Sequence, residues 1–368
     1  MAKRYVIVTL NDDTNYGNRL QNYALQKLLS EYGDTVTAFC TRFRKKSAWI
    51  VRIFYRSLKS TVLLGVRSRK PMTVFKRYLK CRKFTKEYVP DSKVSIDVLH
   101  GLRPKSYSSD TFVFGSDQIW NYSNYTAEDK LPLFSLYFGD FLPQDACRVS
   151  YAASIGVAAL PPSNVQSVFK EYLPKFKAIS VREYAGERLV HEMTDLDAQV
   201  VLDPTLMLNQ QEWRSITEGF VADDEKYVLT YFLGMPSDEQ VKSIKEYAKK
   251  NKCLIRSINN LDDPNTYTAG PQDFVELFSK AYYVFTDSYH ACCFSIIFHR
   301  QFSVYTRAGL SSSENMNSRM ETLFKLFDLD SVVLEKGIAP EIDYNHVDKR
   351  LASLRRVSAS WLNEALRM

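Results

Sequence analysis

Residues 226–234 read KYVLTYFLG, residues 237–251 read SDEQVKSIKEYAKKN and residues 253–258 read CLIRSI. The first and third stretches are short apolar runs typical of buried strands, and the middle stretch has a helical pattern. A strand, a helix and a second strand in this order predict a parallel βαβ unit. This part of the sequence therefore decides the fold class, which is α/β.

The same alternation extends in both directions. Before the unit lie the strand-like runs YVIVTL (5–10), DTVTAF (34–39), TFVFGS (111–116), RVSYAAS (148–154), AISVRE (178–183) and AQVVL (198–202), and after it lie YYVFTDS (282–288) and FSVYTR (302–307). The polar stretch from Asn209 to Lys226 separates two series of elements. We therefore expect one domain over residues 1–208, a second over residues 222–345, and a C-terminal helix over residues 346–368 that packs back on the first domain.

Composition bounds the class of protein. Of the 368 residues, 45% are hydrophobic and 25% are charged, which excludes a disordered chain. The longest apolar run, Ala291 to Phe298, has eight residues, whereas a membrane span needs about 18. The N-terminus shows no signal peptide, so we expect a cytoplasmic protein. The six cysteines show no CxxC spacing, and we expect neither a metal site nor a disulfide framework.

Positive charge is concentrated in one stretch. Residues 41–107 hold 19 lysine and arginine residues against three acidic ones, a net charge of +16, and the rest of the chain carries −9. Between residues 49 and 64, apolar side chains alternate with Arg52, Arg56 and Lys59. We expect a basic helical insert over about residues 42–107 of the first domain.

Two interpretations of this insert are open. The pattern fits a helix that lies in the headgroup layer of an anionic membrane. It fits equally a helical hairpin that packs on its own domain with a solvated basic face. No nucleic-acid-binding signature accompanies the basic residues, so we expect no nucleic acid as a partner.

Motifs of several common enzyme classes are absent. The chain has no GxGxxG, GxxxxGK[ST], HExxH or GxSxG pattern, which argues against dinucleotide-binding, P-loop, zincin and serine-hydrolase functions. Distinctive residues follow the strands instead, and in open parallel sheets that is where ligands bind. These blocks are NYGNRLQNY (15–23), GSDQIWN (115–121) and TDSYH (286–290), and a fourth, NSRMETL, lies at residues 317–323.

The four blocks, together with SYAASIG (150–156), SVRE (180–183) and LDPTLML (202–208), resemble the polysaccharide pyruvyl transferase family across nearly the whole chain. The resemblance implies two Rossmann-like domains that face a cleft, as in glycosyltransferase-B enzymes. It also implies transfer of the pyruvyl group of phosphoenolpyruvate onto a hexose of a polysaccharide or lipid-linked oligosaccharide, which forms a pyruvate ketal and releases phosphate. Neither a metal nor another cofactor is required. In one departure, Ser288-Tyr289-His290-Ala291 stands where many members have Arg-Leu-His-Gly.

The donor site needs cations or helix-start amides, because phosphoenolpyruvate carries a phosphate and a carboxylate on a small frame. We assign Arg182, Arg319 and Ser288 to donor binding. His290, in the first turn of a helix, is assigned as the general acid. Each assignment has a structural alternative: an ion pair with a neighbouring glutamate for either arginine, and a hydrogen-bonded core position for the histidine.

The acceptor is assigned to the first domain. Asp117 is the expected base that accepts a proton from the attacking hydroxyl, with helix capping as the alternative. Trp120 is assigned to stacking on a pyranose face, although the sequence allows a core position as well. The other expected acceptor ligands follow the first strand and are Asn15, Gly17, Asn18, Arg19, Gln21 and Asn22. Of these, Asn15 or Asn18 could instead cap the helix.

Two other functions fit the same architecture. A nucleotide-sugar glycosyltransferase fits because a fold does not determine its donor, and it would release a nucleoside diphosphate. A non-catalytic glycan-binding protein at the membrane surface would bind saccharide without turnover. The expected partners are phosphoenolpyruvate, a saccharide acceptor carried on a lipid and an anionic membrane surface, so the inner face of the membrane is the expected location.

Overall fold

Two parallel β-sheets form the frame of the protein. The structure is a computed structural model that describes residues 3–11, 14–40, 70–89, 91–96, 110–221, 225–306 and 318–368. The first sheet contains β1 (Arg4–Val8), β2 (Asp34–Cys40), β3 (Asp91–Ile96), β4 (Asp110–Phe114), β5 (Cys147–Ala153), β6 (Ala178–Val181) and β7 (Gln199–Val200) in the order β3-β2-β1-β4-β5-β6-β7. The second contains β8 (Tyr227–Tyr231), β9 (Leu254–Ser257), β10 (Tyr283–Thr286), β11 (Phe302–Tyr305) and β12 (Val333–Leu334) in the order β12-β11-β10-β8-β9.

Helices connect these strands. Those of the first half are α1 (Tyr16–Ser30), α2 (Lys70–Tyr88), α3 (Leu131–Ser135), α4 (Ser163–Tyr172), α5 (Tyr184–Thr194), α6 (Pro204–Met207) and α7 (Gln210–Arg214). Those of the second half are α8 (Asp238–Lys250), α9 (Pro264–Tyr267), α10 (Pro271–Lys280), α11 (Tyr289–Ile297), α12 (Ser318–Phe327) and α13 (Tyr344–Ala365). Adjacent described strands of both sheets run parallel, so the expected α/β class with two parallel sheets is confirmed.

Local sequence explains the central elements. All but the first residue of β1 is buried, as the continuous apolar run predicts for a strand covered on both faces. In α8, Ser237 and Gln240 form a capping box, acidic side chains lie in the first turn and Lys249 and Lys250 in the last, where the helix dipole favours each sign of charge. In the βαβ unit from which the fold was predicted, the helix thus begins and ends at the residues that the sequence indicates.

The two halves share one hydrophobic cluster. It joins α1, through Tyr16, Leu20 and Tyr23, to the second half of the chain, including Phe274 and Phe294. The Tyr16 hydroxyl donates a hydrogen bond to the Ala269 carbonyl at 2.6 Å. The start of α1 is therefore held against the second half, which positions the loop after β1 at the cavity between the sheets.

The C-terminal helix α13 crosses between the halves. Near its end, Leu362 packs in a cluster with Tyr5 and Val113 of the first sheet. The Ser358 hydroxyl accepts a hydrogen bond from the Leu202 amide at 3.0 Å. The helix therefore contacts the first sheet, while the domain boundaries at residues 208 and 222 stay predictions.

Much of the predicted basic insert, residues 42–69 and 97–107, lies outside the described residues. The described part consists of α2 and β3, and β3 pairs in parallel with β2. This part is therefore not entirely helical. Within α2, Cys81 and Phe84 are fully buried in the shared hydrophobic cluster. In the described ranges, no helix combines the length and the apolar character that a membrane span requires.

Candidate active site

A cavity of about 410 Å³ lies between the two sheets, at the carboxyl ends of their strands. This is the location that open parallel sheets favour for ligands. The residues predicted for the site that line it are Asn15, Gly17, Asp117, Ser288, His290 and Arg319. They come from both halves of the chain. The cavity therefore brings together the expected acid, the expected base and one expected donor-binding arginine.

Arg182 does not line this cavity but lies behind it. Its Nη1 atom donates a hydrogen bond to Asp203 Oδ2 at 2.6 Å, and both side chains are fully buried. Burial lowers the pKa of Arg182, but the negative charge of Asp203 overcomes this and the net pKa is raised. Its strong partner is thus Asp203 rather than the neighbouring Glu183, whose Oε2 lies 3.9 Å from Arg182 Nε. The predicted direct role of Arg182 in donor binding is corrected to one of supporting the wall of the cavity.

Asp203 is the centre of this support. Its Oδ2 accepts a second hydrogen bond from the Ser116 hydroxyl at 2.9 Å, and its Oδ1 accepts from the backbone amide and the hydroxyl of Thr205. Burial raises the pKa of Asp203, yet Arg182 and His290 outweigh this effect and lower the pKa to about 2. The carboxylate therefore stays ionised and ties β6 to the turn after β4.

Asp117 lies on that turn and faces the cavity. Its Oδ2 accepts a hydrogen bond from Asn18 Nδ2 at 3.3 Å, and its Oδ1 lies 3.7 Å from Arg182 Nη2. Burial raises the pKa of Asp117, but Arg182, His290 and Arg319 lower it by more than burial raises it. The net pKa is therefore below the usual value. Asp117 is therefore an anion surrounded by cations. Its geometry suits acceptance of a hydrogen bond from a hydroxyl group.

Gly115 allows the turn that presents Asp117. Its φ angle is 138°, and a Cβ there would lie 2.0 Å from the Tyr151 carbonyl oxygen. The next residue, Ser116, donates its amide hydrogen to Gln21 Oε1 at 3.0 Å. Gln21 thus acts on the site indirectly, by fixing the backbone before Asp117.

His290 lies at the start of α11 and is almost fully buried. Its Nε2 atom is 4.0 Å from Asp203 Oδ2, and it has no hydrogen-bond partner among the described residues. Burial lowers the pKa of His290, while Asp203 and Asp117 oppose this shift only in part. In the free protein the imidazole is therefore neutral near pH 7.

Gly17 is the neighbour that makes room for this ring. A Cβ at Gly17 would lie 2.0 Å from His290 Nδ1, closer than any real contact. Gly17 is on α1 and His290 on α11, so the absence of a side chain on one half lets the imidazole of the other reach the cavity. Gly17 was predicted as an acceptor ligand, and its contact with His290 was not predicted.

Arg319 lines the cavity at the start of α12. With the amide of Gln118 turned so that its oxygen faces the guanidinium, that oxygen accepts hydrogen bonds from Nη1 and Nη2 at 2.7 and 2.6 Å. Burial and the nearby charge of Arg182 lower the pKa of Arg319 to about 10, and Asp117 only partly opposes this. The ring of Tyr289 lies 5.8 Å from Arg319 and 4.3 Å from Arg182. Arg319 therefore remains charged near pH 7 in a region that already holds a second buried arginine.

Ser288 caps α11 through its backbone, while its neighbour Asp287 fastens an adjoining loop. The Ser288 amide donates to Thr286 Oγ1 at 3.0 Å, and the Ser288 side chain makes no capping hydrogen bond. Asp287 accepts hydrogen bonds from the amides of Leu233 and Gly234 at 2.6 and 2.8 Å. The rim of the cavity is thereby joined to the end of β8.

The block after β1 divides into two groups. Asn15 caps α1 by accepting from the Asn18 amide at 3.1 Å, and it also lines the cavity. Asn18, Arg19, Gln21 and Asn22 do not line it. Arg19 Nη2 donates to the Leu10 carbonyl at 2.9 Å, and the side-chain Oδ1 of Asn22 accepts from the Thr37 hydroxyl at 2.9 Å. The prediction that these four residues contact the acceptor is therefore corrected. They support the loop after β1 and the turn at Asp117.

Trp120 is a core residue. It is fully buried, it stacks on Phe138 at a centroid distance of 5.3 Å, and its Nε1 donates to the Tyr137 carbonyl at 3.1 Å. A sugar cannot stack on a ring covered by the protein interior. The predicted stacking role is therefore wrong, and the alternative core position is correct.

Sequence reasoning missed three residues of the site. The position of Asp203 was noticeable in the sequence, since it follows the strand-like run at 198–202 and caps the helix that begins at Pro204. Its ion pair with Arg182 could not be predicted, because the two residues are far apart in sequence. Gln118 and Tyr289 lay beside assigned residues and were not singled out. The described residues contain no cluster of three or more metal-ligating side chains.

A family model matches most of the chain. A model of the polysaccharide pyruvyl transferase family matches residues 15–308, which covers the blocks after β1, β4, β6 and β10. The chain belongs to the polysaccharide pyruvyl transferase family, a family of transferases that act on polysaccharides. No curated protein sequence matches the chain.

Three solved structures with a similar architecture are distant in sequence. A UDP-N-acetylglucosamine 2-epimerase assigned tentatively in Listeria monocytogenes has 9% identity and a TM-score of 0.48, and the match covers 99% of this chain and 91% of that one. The Neisseria meningitidis UDP-GlcNAc 2-epimerase has 12% identity and a TM-score of 0.43, with 98% and 93% covered. A wall teichoic acid polymerase has 11% identity and a TM-score of 0.46, with 99% and 82% covered. Likenesses at this level decide neither donor nor acceptor.

Proposed function

We propose that this protein transfers the pyruvyl group of phosphoenolpyruvate onto a hexose of a polysaccharide or lipid-linked oligosaccharide, forms a pyruvate ketal and releases phosphate. The observation that carries the proposal is the cavity in which His290 and Arg319 face Asp117. A small dianionic donor needs cations, and a sugar hydroxyl needs a proton acceptor. Family membership supports pyruvyl transfer to a saccharide, and the arrangement of charge supports this donor.

The charge balance favours an anionic ligand beside Arg319. Burial and the nearby charge of Arg182 lower its pKa to about 10, so the charged guanidinium is less favoured in this cavity wall than in water. A phosphate or carboxylate group bound there would favour the charged guanidinium and accept two parallel hydrogen bonds from it. The first turn of α11, with Ser288 and His290, adds backbone amides that favour an anion.

In the proposed reaction His290 is the acid and Asp117 the base. A proton from His290 adds to the methylene carbon of the donor, which leaves an oxocarbenium-like centre at the carbon that bears the phosphate. A sugar hydroxyl attacks this carbon and its proton passes to Asp117. Phosphate then leaves with its bonding electrons and takes the proton held by Asp117, and a second hydroxyl adds to close the ketal and gives its proton to His290. One donor and one diol thus give one ketal and one phosphate.

The acid role requires His290 to gain a proton when the donor binds. In the free protein burial lowers its pKa and the ring is neutral near pH 7. An anion in the cavity favours the imidazolium, because opposite charges raise the pKa of a histidine. Donor binding would therefore favour the protonated form of His290, which is the form that can act as an acid. Arg182 and Arg319 oppose this protonation while the cavity holds no anion.

The acceptor is proposed to approach along Asn15, Gly17 and Asp117, which line the side of the cavity formed by the first half of the chain. We include a lipid-linked acceptor, a cytoplasmic location and association with the inner face of the membrane in the proposal. They follow from the kind of substrate that a polysaccharide transferase uses and from the basic stretch at residues 41–107. No metal or redox cofactor takes part in the proposed steps.

The test incubates the protein with labelled phosphoenolpyruvate and a lipid extract of polysaccharide intermediates. The expected result is label in saccharide with equimolar orthophosphate. His290→Asn should retain donor binding and lower kcat by roughly 10²–10⁴. His299→Asn is the matched control, since His299 pairs with Asp348 at the surface and should leave kcat unchanged.

Two outcomes would refute the proposal. Release of a nucleoside diphosphate from a nucleotide sugar, with phosphoenolpyruvate inert, would identify a glycosyltransferase. Tight glycan binding without turnover of any donor would identify a non-catalytic binding protein.

A further inference from the structure

Helix α2 carries a set of exposed apolar side chains on one face. Met72, Phe75 and Leu79 are 58%, 38% and 48% exposed. Their spacing of three and four residues places them on the same side of a helix. The opposite side, with Cys81 and Phe84, is buried in the shared hydrophobic cluster. We call the exposed side the outer face of α2.

Basic residues continue the outer face toward the end of the helix. Arg82 and Lys86 follow Leu79 on the same side of the helix and are exposed, and exposed Lys76 lies between the apolar residues. Lys83 is exposed on this side as well and pairs with Glu218 at 3.2 Å. Over its full length α2 has seven lysine and arginine residues against one glutamate. The outer face is therefore mainly apolar in the first half of the helix, where Lys76 is the exposed cation. It is positively charged in the second half.

Contacts with the rest of the protein hold this face outward. Lys80 pairs with Asp273 at 2.6 Å, and the guanidinium of Arg77 lies 4.3 Å from the ring of Tyr16. Both partners lie on the side away from the outer face, so the inward cations are used to fix the helix. Because Tyr16 directly precedes Gly17, which lines the cavity, α2 also lies next to the acceptor side of the candidate site.

We propose that the outer face of α2 docks on the surface of an anionic lipid bilayer. Three apolar side chains enter the boundary between headgroups and acyl chains, and the surrounding lysines and arginines bind lipid phosphates, as in interfacial amphipathic helices. A second copy of the chain is a poorer occupant, because two such faces would bring like charges together. A nucleic acid backbone would leave Met72 and Leu79 without apolar partners.

This inference goes beyond the proposed reaction and does not depend on the identity of the donor. Docking through α2 would hold the acceptor side of the cavity near the bilayer surface, where a saccharide on a lipid carrier is found. The experiment needs neither donor nor acceptor. Failure of vesicle binding would therefore remove the membrane association included in the proposed function and leave the proposed transfer reaction intact.

The test is sedimentation of the full-length protein with vesicles of phosphatidylglycerol and phosphatidylcholine, and with vesicles of phosphatidylcholine alone. The wild type should bind the anionic vesicles, and binding should weaken steeply with salt. The triple variant Met72→Ser, Phe75→Ser, Leu79→Ser and the double variant Lys76→Glu, Lys86→Glu should each lower the partition coefficient roughly tenfold or more. All five positions are exposed, so these variants should fold.

Matched variants elsewhere distinguish the face from general charge and hydrophobicity. Leu254→Ser with Val357→Ser removes exposed apolar side chains, and Lys249→Glu with Lys250→Glu reverses exposed charges on α8. Both should bind vesicles like the wild type. Wild-type binding by the α2 variants would overturn the proposal, since another part of the chain would then carry the interaction. A dimer in solution that the triple variant abolishes, with no vesicle binding, would also overturn it.

Discussion

Arg182 and Arg319 lie near the same ring, that of Tyr289, but in opposite electrostatic surroundings. Arg182 has a buried carboxylate at 2.6 Å, which raises its pKa. Arg319 faces the neutral amide of Gln118 and lines the cavity, and its pKa is lowered to about 10. An arginine whose counter-ion belongs to the protein stabilises structure. An arginine that lines a cavity and whose pKa is lowered is suited to bind an anionic ligand.

The largest effect is expected from removing the carboxylate charge of Asp203, which pairs with Arg182. Asp203→Asn leaves that guanidinium buried without its main counter-ion, and we expect a loss of about 3–5 kcal/mol in the free energy of unfolding. Urea denaturation measures it. Asp195→Asn is the control, because Asp195 is exposed with a φ of 57° that asparagine tolerates. If Asp203→Asn lowered the free energy of unfolding no more than the control does, the ion pair of Asp203 and Arg182 would have no structural role.

The contact between the two halves can be tested at Gly17. Gly17→Ala places a Cβ about where His290 Nδ1 lies and must displace the imidazole. A displacement near 1 Å can cost roughly 10²-fold in rate, so we expect kcat for phosphate release to fall by that order. Gly186→Ala provides the comparison, since its Cβ would make ordinary contacts at 3.4 Å. Unchanged kcat in Gly17→Ala would show that the position of His290 does not matter.

The other side of the comparison is tested with Arg319→Lys. The ammonium keeps the charge and loses the planar fork, so the KM for phosphoenolpyruvate should rise roughly 10-fold or more with stability nearly unchanged. Arg182→Lys should show the reverse pattern, a clear loss of stability as its main effect. Steady-state kinetics and thermal unfolding of both variants give the result. If both changed only KM, both arginines would be donor ligands after all.

The smallest expected effect is a pH dependence of stability. Burial lowers the pKa of His290 below its usual 6.5, so the unfolded chain binds the proton more readily than the folded one. Stability should therefore fall as the pH drops through about 6.5. Urea unfolding at several pH values should show this component in the wild type and not in His290→Asn. Saturating inorganic phosphate should reduce it if an anion favours the imidazolium.

The positions after strands were predictable, because parallel strands end at one edge of a sheet whatever their separation in sequence. Asp117 and His290 were found in this way, and both line the cavity. The partner of Arg182 was not, since Asp203 is 21 residues away and follows a different strand. Trp120 carried no local signal to separate a binding position from a core position. Its burial depends on Phe138, which the chain brings back over the ring.

The sequence by itself determined the α/β class, the parallel sheets and the family, because these depend on periodic apolar patterns and on short blocks of neighbouring residues. The tertiary structure alone decided which charges are compensated. Electrostatic pairing depends on distance and burial in space, and both arise only when separate strands and helices pack together. For that reason Arg182 forms a structural ion pair, whereas Arg319 belongs to a candidate ligand site.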